Sequence, residues 1–287
     1  MRLVARSAVV ALAALLAPGV ARAEAPKGEG KPKNLNLAFV LLSEAKLPKG
    51  ADVERAFAAY ADKGQTLTAR PSKPKKREGG VDGIEFDLGG QSVVVALIPA
   101  PVPNHEADEA VRYSLSALNG RWRLPPHKAH LVVTAQGSGQ AVDDLSAFTS
   151  AVAAIVDASH AVGVYCGNAG ATHDPKFFTE TARDHALAAR LVIWNGVSIA
   201  RAADGRLEFL SLGMGQLGLP NLLLVAPRAQ ADGAIPFMLE LLAMVVRDGK
   251  PLPEGDTVGR SAAEKLDVHY VTSPVDPKAK VWRVELK

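Results

Sequence analysis

The sequence predicts an α+β protein with mostly antiparallel sheets, built as two ferredoxin-like halves (β-α-β-β-α-β) that share a core. Three observations point there. Short apolar runs of strand character alternate with longer segments whose apolar residues recur at helical spacing. Neighbouring strand candidates come in hairpin pairs, one of them turning on Gly89-Gly90. The order strand, helix, two strands, helix, strand then occurs twice along the chain, in elements and without repeated residues.

In the first half, residues 35–136, "LNLAFVLL" (35–42) suits a buried strand, and "ADVERAFAAYA" (51–61) places Val53, Phe57 and Tyr60 on one helical face. "GIEFDL" (83–88) and "SVVVALIPAPVP" (92–103) follow as a hairpin. "EADEAVRYSLSAL" (106–118) reads as a helix with acidic residues in its first turn, where the helix dipole favours them, and "HKAHLVVTAQ" (127–136) as a fourth strand. "GSGQA" (137–141) is a polar break.

The second half runs over residues 140–287. Leu145, Phe148, Val152, Ile155 and Val156 form one stripe of a helix over 143–159, and "AVGVYC" (161–166) is a strand. Asp174 as N-cap and Pro175 at the first helical position start a helix over 174–189. "RLVIWNGVSIA" (190–200) and "RLEFLSLGM" (206–214) read as a hairpin. An apolar helix (235–249) ends at Gly249, and "LDVHYVTS" (266–273) with "KVWRVEL" (280–286) closes the chain as another hairpin.

Residues 1–23 have the layout of a secretory signal peptide: Arg2 and Arg6, then an apolar run too short to span a bilayer, then "ARA" ending at Ala23. Residues 24–34 are a flexible leader rich in Lys, Gly and Pro. The protein is therefore expected to be exported, periplasmic or secreted, with no membrane span after cleavage. Removing 23 of 287 residues leaves 264 and takes away three arginines, so the formal charge falls from +3 to 0. That undercuts a nucleic-acid role, as does the 5% aromatic content without basic-aromatic interleaving. The basic run over 70–80 reads as a solvated loop between prolines. With 48% hydrophobic residues the chain has ample material for a core. Its single cysteine excludes an internal disulfide.

"PAPVP" (99–103), "HKAHLVV" (127–133), "AVGVYCGNAGATHDPKFF" (161–178), "GLPNLLL" (218–224) and "GDTVGRSAAEKLDVHYV" (255–271) resemble, in order and spacing, the bacterial family catalogued as domain of unknown function 4261. The resemblance spans nearly all of the mature chain. It implies an α+β domain and no particular activity, and the leader departs from its pattern.

Three stretches invite chemistry. Cys166 and His173 flank a glycine-bearing turn next to a helix N-terminus, an arrangement that lowers a thiol pKa when the groups meet. Yet Asp174 would cap that helix and oppose a thiolate, and cysteine at a strand end commonly packs as a small hydrophobe. His127 and His130, three apart at the head of a strand, would face opposite ways, which spoils a shared metal site; each reads first as a histidine bonding a loop. Asn168 in the turn is counted with them as a ligand contact. "GMGQLG" (213–218) matches a dinucleotide fingerprint in letters, but Pro220 and an extended run follow where a helix must start. No motif calls for a cofactor, and Cys166, His173 and His127 lack any known zinc spacing. The leading expectation is a non-enzymatic binding or interaction protein for a protein or small-molecule ligand. Its alternative is a hydrolase or transferase using Cys166 with His173, or a metal held by those residues and His127.

Overall fold

Seven strands pair into the larger of two main sheets. They are β1 (Leu35–Leu42), β2 (Leu67–Ala69), β3 (Gly83–Leu88), β4 (Gln91–Ile98), β5 (Ala129–Gln136), β6 (Ala161–Cys166) and β7 (Ala171–His173). Their order is β2-β3-β4-β5-β1-β6-β7, and every neighbouring pair is antiparallel. The smaller sheet holds β8 (Gly196–Arg201), β9 (Leu207–Leu212), β10 (Leu222–Ala226), β13 (His269–Thr272) and β14 (Lys280–Glu285) in the order β13-β14-β10-β9-β8. Only β10 and β14 run parallel there. A two-stranded ribbon of β11 (Thr257–Val258) and β12 (Leu266–Asp267) completes the set. This computed structural model describes residues 35–70, 82–118, 120 and 122–287, so the expected signal peptide, the leader and most of the basic run over 70–80 lie outside the described residues.

The α+β class with mostly antiparallel sheets is observed; the two ferredoxin-like halves are not confirmed. Such a half needs its second helix as a crossover, so that the third and fourth strands run parallel with the first strand between them. Here the link from β4 to β5 is no crossover. Asn104 and His105 both take left-handed backbone conformations, and Ser114 is extended. The predicted helix over 106–118 shrinks to α2 (Glu106–Glu109) followed by 3-10 turns, and β4 returns directly beside β5. β6, beyond the predicted break at 137–140, pairs with β1. Residues 33–287 accordingly form one compact unit.

The remaining helices among the described residues are α1 (Gly50–Phe57), α3 (Ala141–Asp157), α4 (Pro175–Arg183), α5 (Leu187–Trp194) and α6 (Ala231–Asp248). α3 lies against β1 and β6 with α1 and α4 on its flanks, so it is buried from Leu145 to Val156 on almost every side and not on one stripe. Each Val, Leu, Ile or Phe side chain so enclosed contributes about 1.5–3 kcal/mol. α6 is long and apolar enough to cross a membrane by length and composition, a test that core helices also pass. Phe237, Met238, Leu241 and Leu242 on it are buried in the same core as Leu222 and Leu224 of β10.

Around the candidate residues, one local expectation holds and one does not. Asp174 does cap α4, accepting from the backbone N–H groups of Lys176 at 2.7 Å and Phe177 at 3.2 Å. The predicted strand over 190–200 is instead the helix α5 up to Trp194, and only from Gly196 the strand β8. Leu187, Arg190, Leu191 and Trp194 recur at helical spacing, whereas the contiguous Leu191-Val192-Ile193-Trp194 also suits a buried strand. A local turn in which the Asp184 carboxylate accepts from Ala186 N–H at 2.9 Å separates α4 from α5, whose N-cap residue is Ala186.

Candidate functional site

Cys166 and His173 face the same side of the β6–β7 pair but not each other. Cys166 stands opposite Ala171, and His173 opposite Val164. That diagonal offset separates them by about 7–8 Å. Both ring nitrogens of His173 are engaged elsewhere. The Ile193 carbonyl, 3.2 Å from Nε2, can only accept, so Nε2 carries the proton and Nδ1 accepts from the Ser114 hydroxyl at 2.7 Å. Ser116 Oγ, 2.7 Å from Ser114 Oγ, in turn accepts from Asp174 N–H at 3.1 Å. His173 is fully enclosed, and burial pushes its pKa down to about 4. Burial alone pushes the Cys166 thiol up to about 12. The cleft beside it, lined by Leu37, Phe148, Asn168 and Phe178, has a volume of about 20 Å³, enough for one water molecule. Asn168 spends its amide on the carbonyl of Leu35 at 3.3 Å.

A thiol with its pKa raised in this way is a poor nucleophile. In native protein at pH 8, Cys166 is expected to react with iodoacetamide on the order of a thousandfold more slowly than free cysteine, measured by mass spectrometry over time. Labelling within tenfold of the free thiol would show that it is not desolvated.

The two histidines of "HKAH" meet on one loop. His127 precedes β5, so strand alternation does not reach it. Its Nε2 accepts from Val102 N–H at 3.2 Å, while His130 Nδ1 donates to the Ala100 carbonyl at 2.8 Å. Together they pin the proline-flanked segment 100–102 across the face of the larger sheet. Desolvation disfavours the charged form of both. Among the described residues, no group of three or more His, Cys, Asp or Glu side chains is placed to hold a metal ion. "GMGQLG" forms a 3-10 turn over Met214–Leu217. Gly213 is required there for two reasons: its φ is 118°, and a Cβ would lie 2.5 Å from the Trp194 carbonyl oxygen.

A different place gathers unspent polar groups. The loop after α1, the first turns of α3 and the start of α5 border an open hollow of about 290 Å³, lined by Asp62, Asp143, Ser146, His185, Arg190 and Trp194. Helical spacing puts Arg190 on the apolar face of α5, with Leu187, Leu191 and Trp194, and only 1% of it is exposed. Its Nη2 donates to Ser150 Oγ at 3.3 Å and lies 3.0 Å from His185 Nδ1. That same Nδ1 is 2.8 Å from Asp62 Oδ1. It has either a proton to give Asp62 or a lone pair to take one from Arg190, never both at once. Nε and Nη1 of the guanidinium are buried without any partner. Burial works against the Arg190 charge, opposed by the fields of Asp62 and Asp184.

Two larger hollows offer no comparable chemistry. In one, of about 410 Å³, the charges already pair: Arg183 with Asp157 at 3.5 Å and Lys176 with Glu180 at 3.7 Å. In the other, of about 310 Å³, the Asp144 carboxylate is saturated by the Ser138 hydroxyl, the backbone N–H groups of Ser138 and Gly139, and the Gln91 amide.

Reading residues 190–200 as a strand conceals Arg190, since it makes the arginine the first residue of the strand, where a charge is ordinary. A cation within the Leu187–Trp194 stripe is the signal that would have exposed it. Comparison with protein-family models, curated proteins and solved structures finds no match to this chain.

Proposed function

We propose that the chain is an exported, non-enzymatic binding protein whose ligand is a small carboxylate-bearing molecule held at Arg190. One observation carries the reading: a buried guanidinium with Nε and Nη1 unpartnered, on a residue that borders an open hollow of about 290 Å³. Each buried donor left unpaired costs about 1–3 kcal/mol. A carboxylate on the Nε–Nη2 edge of the guanidinium would give Nε the acceptor it lacks. The pairing of Cys166 and His173 draws no support from their positions, because His173 spends both nitrogens on Ser114 and Ile193. Export rests on residues 1–23 and is checked by whether protein recovered from the periplasm begins at Glu24.

Isothermal titration with short-chain monocarboxylates tests the binding claim. Wild-type protein is expected to bind members of this series, and Arg190→Lys, which keeps the charge but loses the fork, to bind at least about tenfold more weakly. Equal affinity in the variant, or no carboxylate binding by the wild type, would remove the proposal.

A further inference from the structure

Three of the seven histidines hold one stretch of chain, and we infer that this stretch, residues 100–116, is a strap over the larger sheet that acid releases locally, ahead of global unfolding. His130 Nδ1 donates to the Ala100 carbonyl, His127 Nε2 accepts from Val102 N–H, and His173 Nδ1 accepts from the Ser114 hydroxyl. The strap has little regular structure of its own: α2 has four residues, 3-10 turns follow it, and Asn104 and His105 lie in the left-handed region. Its Val102, Ala107 and Ala110 are buried against Leu41 and Tyr165 of the sheet, so release bares an apolar face.

Each tie requires a neutral imidazole. A proton on His127 Nε2 or His173 Nδ1 would occupy the lone pair that accepts and set two donors face to face. His130 resists for another reason: its Nε2 is buried without a partner, so a proton there would enclose a charge with no acceptor. Once the strap lifts, the rings meet water and titrate near their ordinary value of about 6.5. The released form therefore takes up protons that the closed form refuses, and release grows as pH falls below about 6.5. At pH 5 each such histidine favours release by up to about thirtyfold.

Burial is the largest influence on all three rings, and the charges around them do not reverse it. Asp108 and His105, both on the strap, act on His127 in opposite senses and lie 3.8 Å from each other. His130 feels His127, and the Phe39 ring stands 5.6 Å from its own. Beside His173, the Asp174 carboxylate is spent on the first turn of α4, Arg112 is turned onto the Tyr113 ring, and Phe177 and Phe178 flank the imidazole. Two ties need no histidine: the Tyr165 hydroxyl donates to Glu106 at 2.5 Å and the Thr172 hydroxyl to the Ala107 carbonyl at 2.6 Å. They hold the middle of the strap while the histidines hold its ends.

Hydrogen exchange at single amides of the purified protein, at pH 7 and pH 5, tests the strap when each rate is expressed as protection against the free-peptide rate at the same pH. The Val102 and Ser114 amides are expected to lose protection about a hundredfold or more between the two, and at pH 5 to be at least about tenfold less protected than amides in β1, β4 and β5. His127→Gln, whose side-chain oxygen accepts without titrating, and His130→Asn, whose amide donates without titrating, are each expected to reduce that loss about tenfold. A wild-type loss under about threefold would overturn the strap. So would equal protection of strap and strands at pH 5, which would mean release by global unfolding only, or a loss as steep in both variants as in the wild type. The wild-type comparison decides even where a variant does not fold.

Discussion

Lowering the pH from neutrality to 4 is expected to remove about 3 kcal/mol of folding stability through His173 alone. The imidazole is neutral in the fold because Ser114 needs its Nδ1 lone pair and because no water reaches it. In the unfolded chain it titrates at its ordinary value near 6.5. Between about 6.5 and 4 the unfolded state therefore binds the extra proton, and stability falls with pH across that window. Below 4 both states are protonated and this group contributes no further loss. His127 and His130 are shifted in the same direction and add to the slope. Stabilised carboxylates act lower: Glu264, held down to about 2 by Arg260, keeps its charge through the histidine window. Urea denaturation at half-unit pH steps should show the decline starting near 6.5. His173→Gln, which keeps one donor and one acceptor, should flatten it. A wild-type profile level from pH 7 to 4.5 would mean that His173 is protonated in the fold.

Replacing Arg190 is expected to stabilise the protein. Arg190→Met keeps the apolar stem and removes a guanidinium whose Nε and Nη1 are unpaired in the interior. What is lost is one bond to Ser150 at 3.3 Å and attraction to Asp62 and Asp184 across a partly desolvated space. Exchanges of buried, imperfectly satisfied charges for well-packed apolar side chains raise stability by up to about 1–4 kcal/mol. The Asp62–His185 contact remains, since it does not pass through the arginine. The same variant should bind no carboxylate. That combination, a more stable and ligand-blind protein, is the signature of a residue kept for binding. A loss of more than about 1 kcal/mol would instead make Arg190 a structural strut for Ser150 and α3.

Local chemistry was legible in the sequence wherever neighbours decide it. The strands at 83–88 and 161–166 were readable from their apolar runs, the β3–β4 turn from Gly89-Gly90, and the start of α4 from Asp174-Pro175. Sheet order was not, because β5 beside β1 and β6 beside β1 are pairings between distant segments. No local pattern distinguishes them from a ferredoxin-like arrangement with the same elements. The backbone of Asn104 and His105 settled the matter against a crossover helix; both residue types are enriched in the left-handed region but occupy it at only a minority of positions, so the sequence does not announce it. For the candidate site the difficulty is the same. Its members come from residues 62, 143, 185 and 190, on three segments that share no motif. Of the residues that did stand out, His127 is bonded by nearby backbone, His173 by Ser114 and the Ile193 carbonyl, and His130 by the Ala100 carbonyl with its Nε2 left buried and unpartnered, while burial disfavours the Cys166 thiolate.

The most direct measurement is the Arg190 Nε–H resonance, followed by nitrogen–proton NMR while a carboxylate is titrated in and assigned by its absence from Arg190→Met. A ligand carboxylate that takes up Nε–H must move this signal in step with saturation, and slow its exchange with water. A resonance that stays in place while a carboxylate ligand saturates the protein would contradict binding at Arg190.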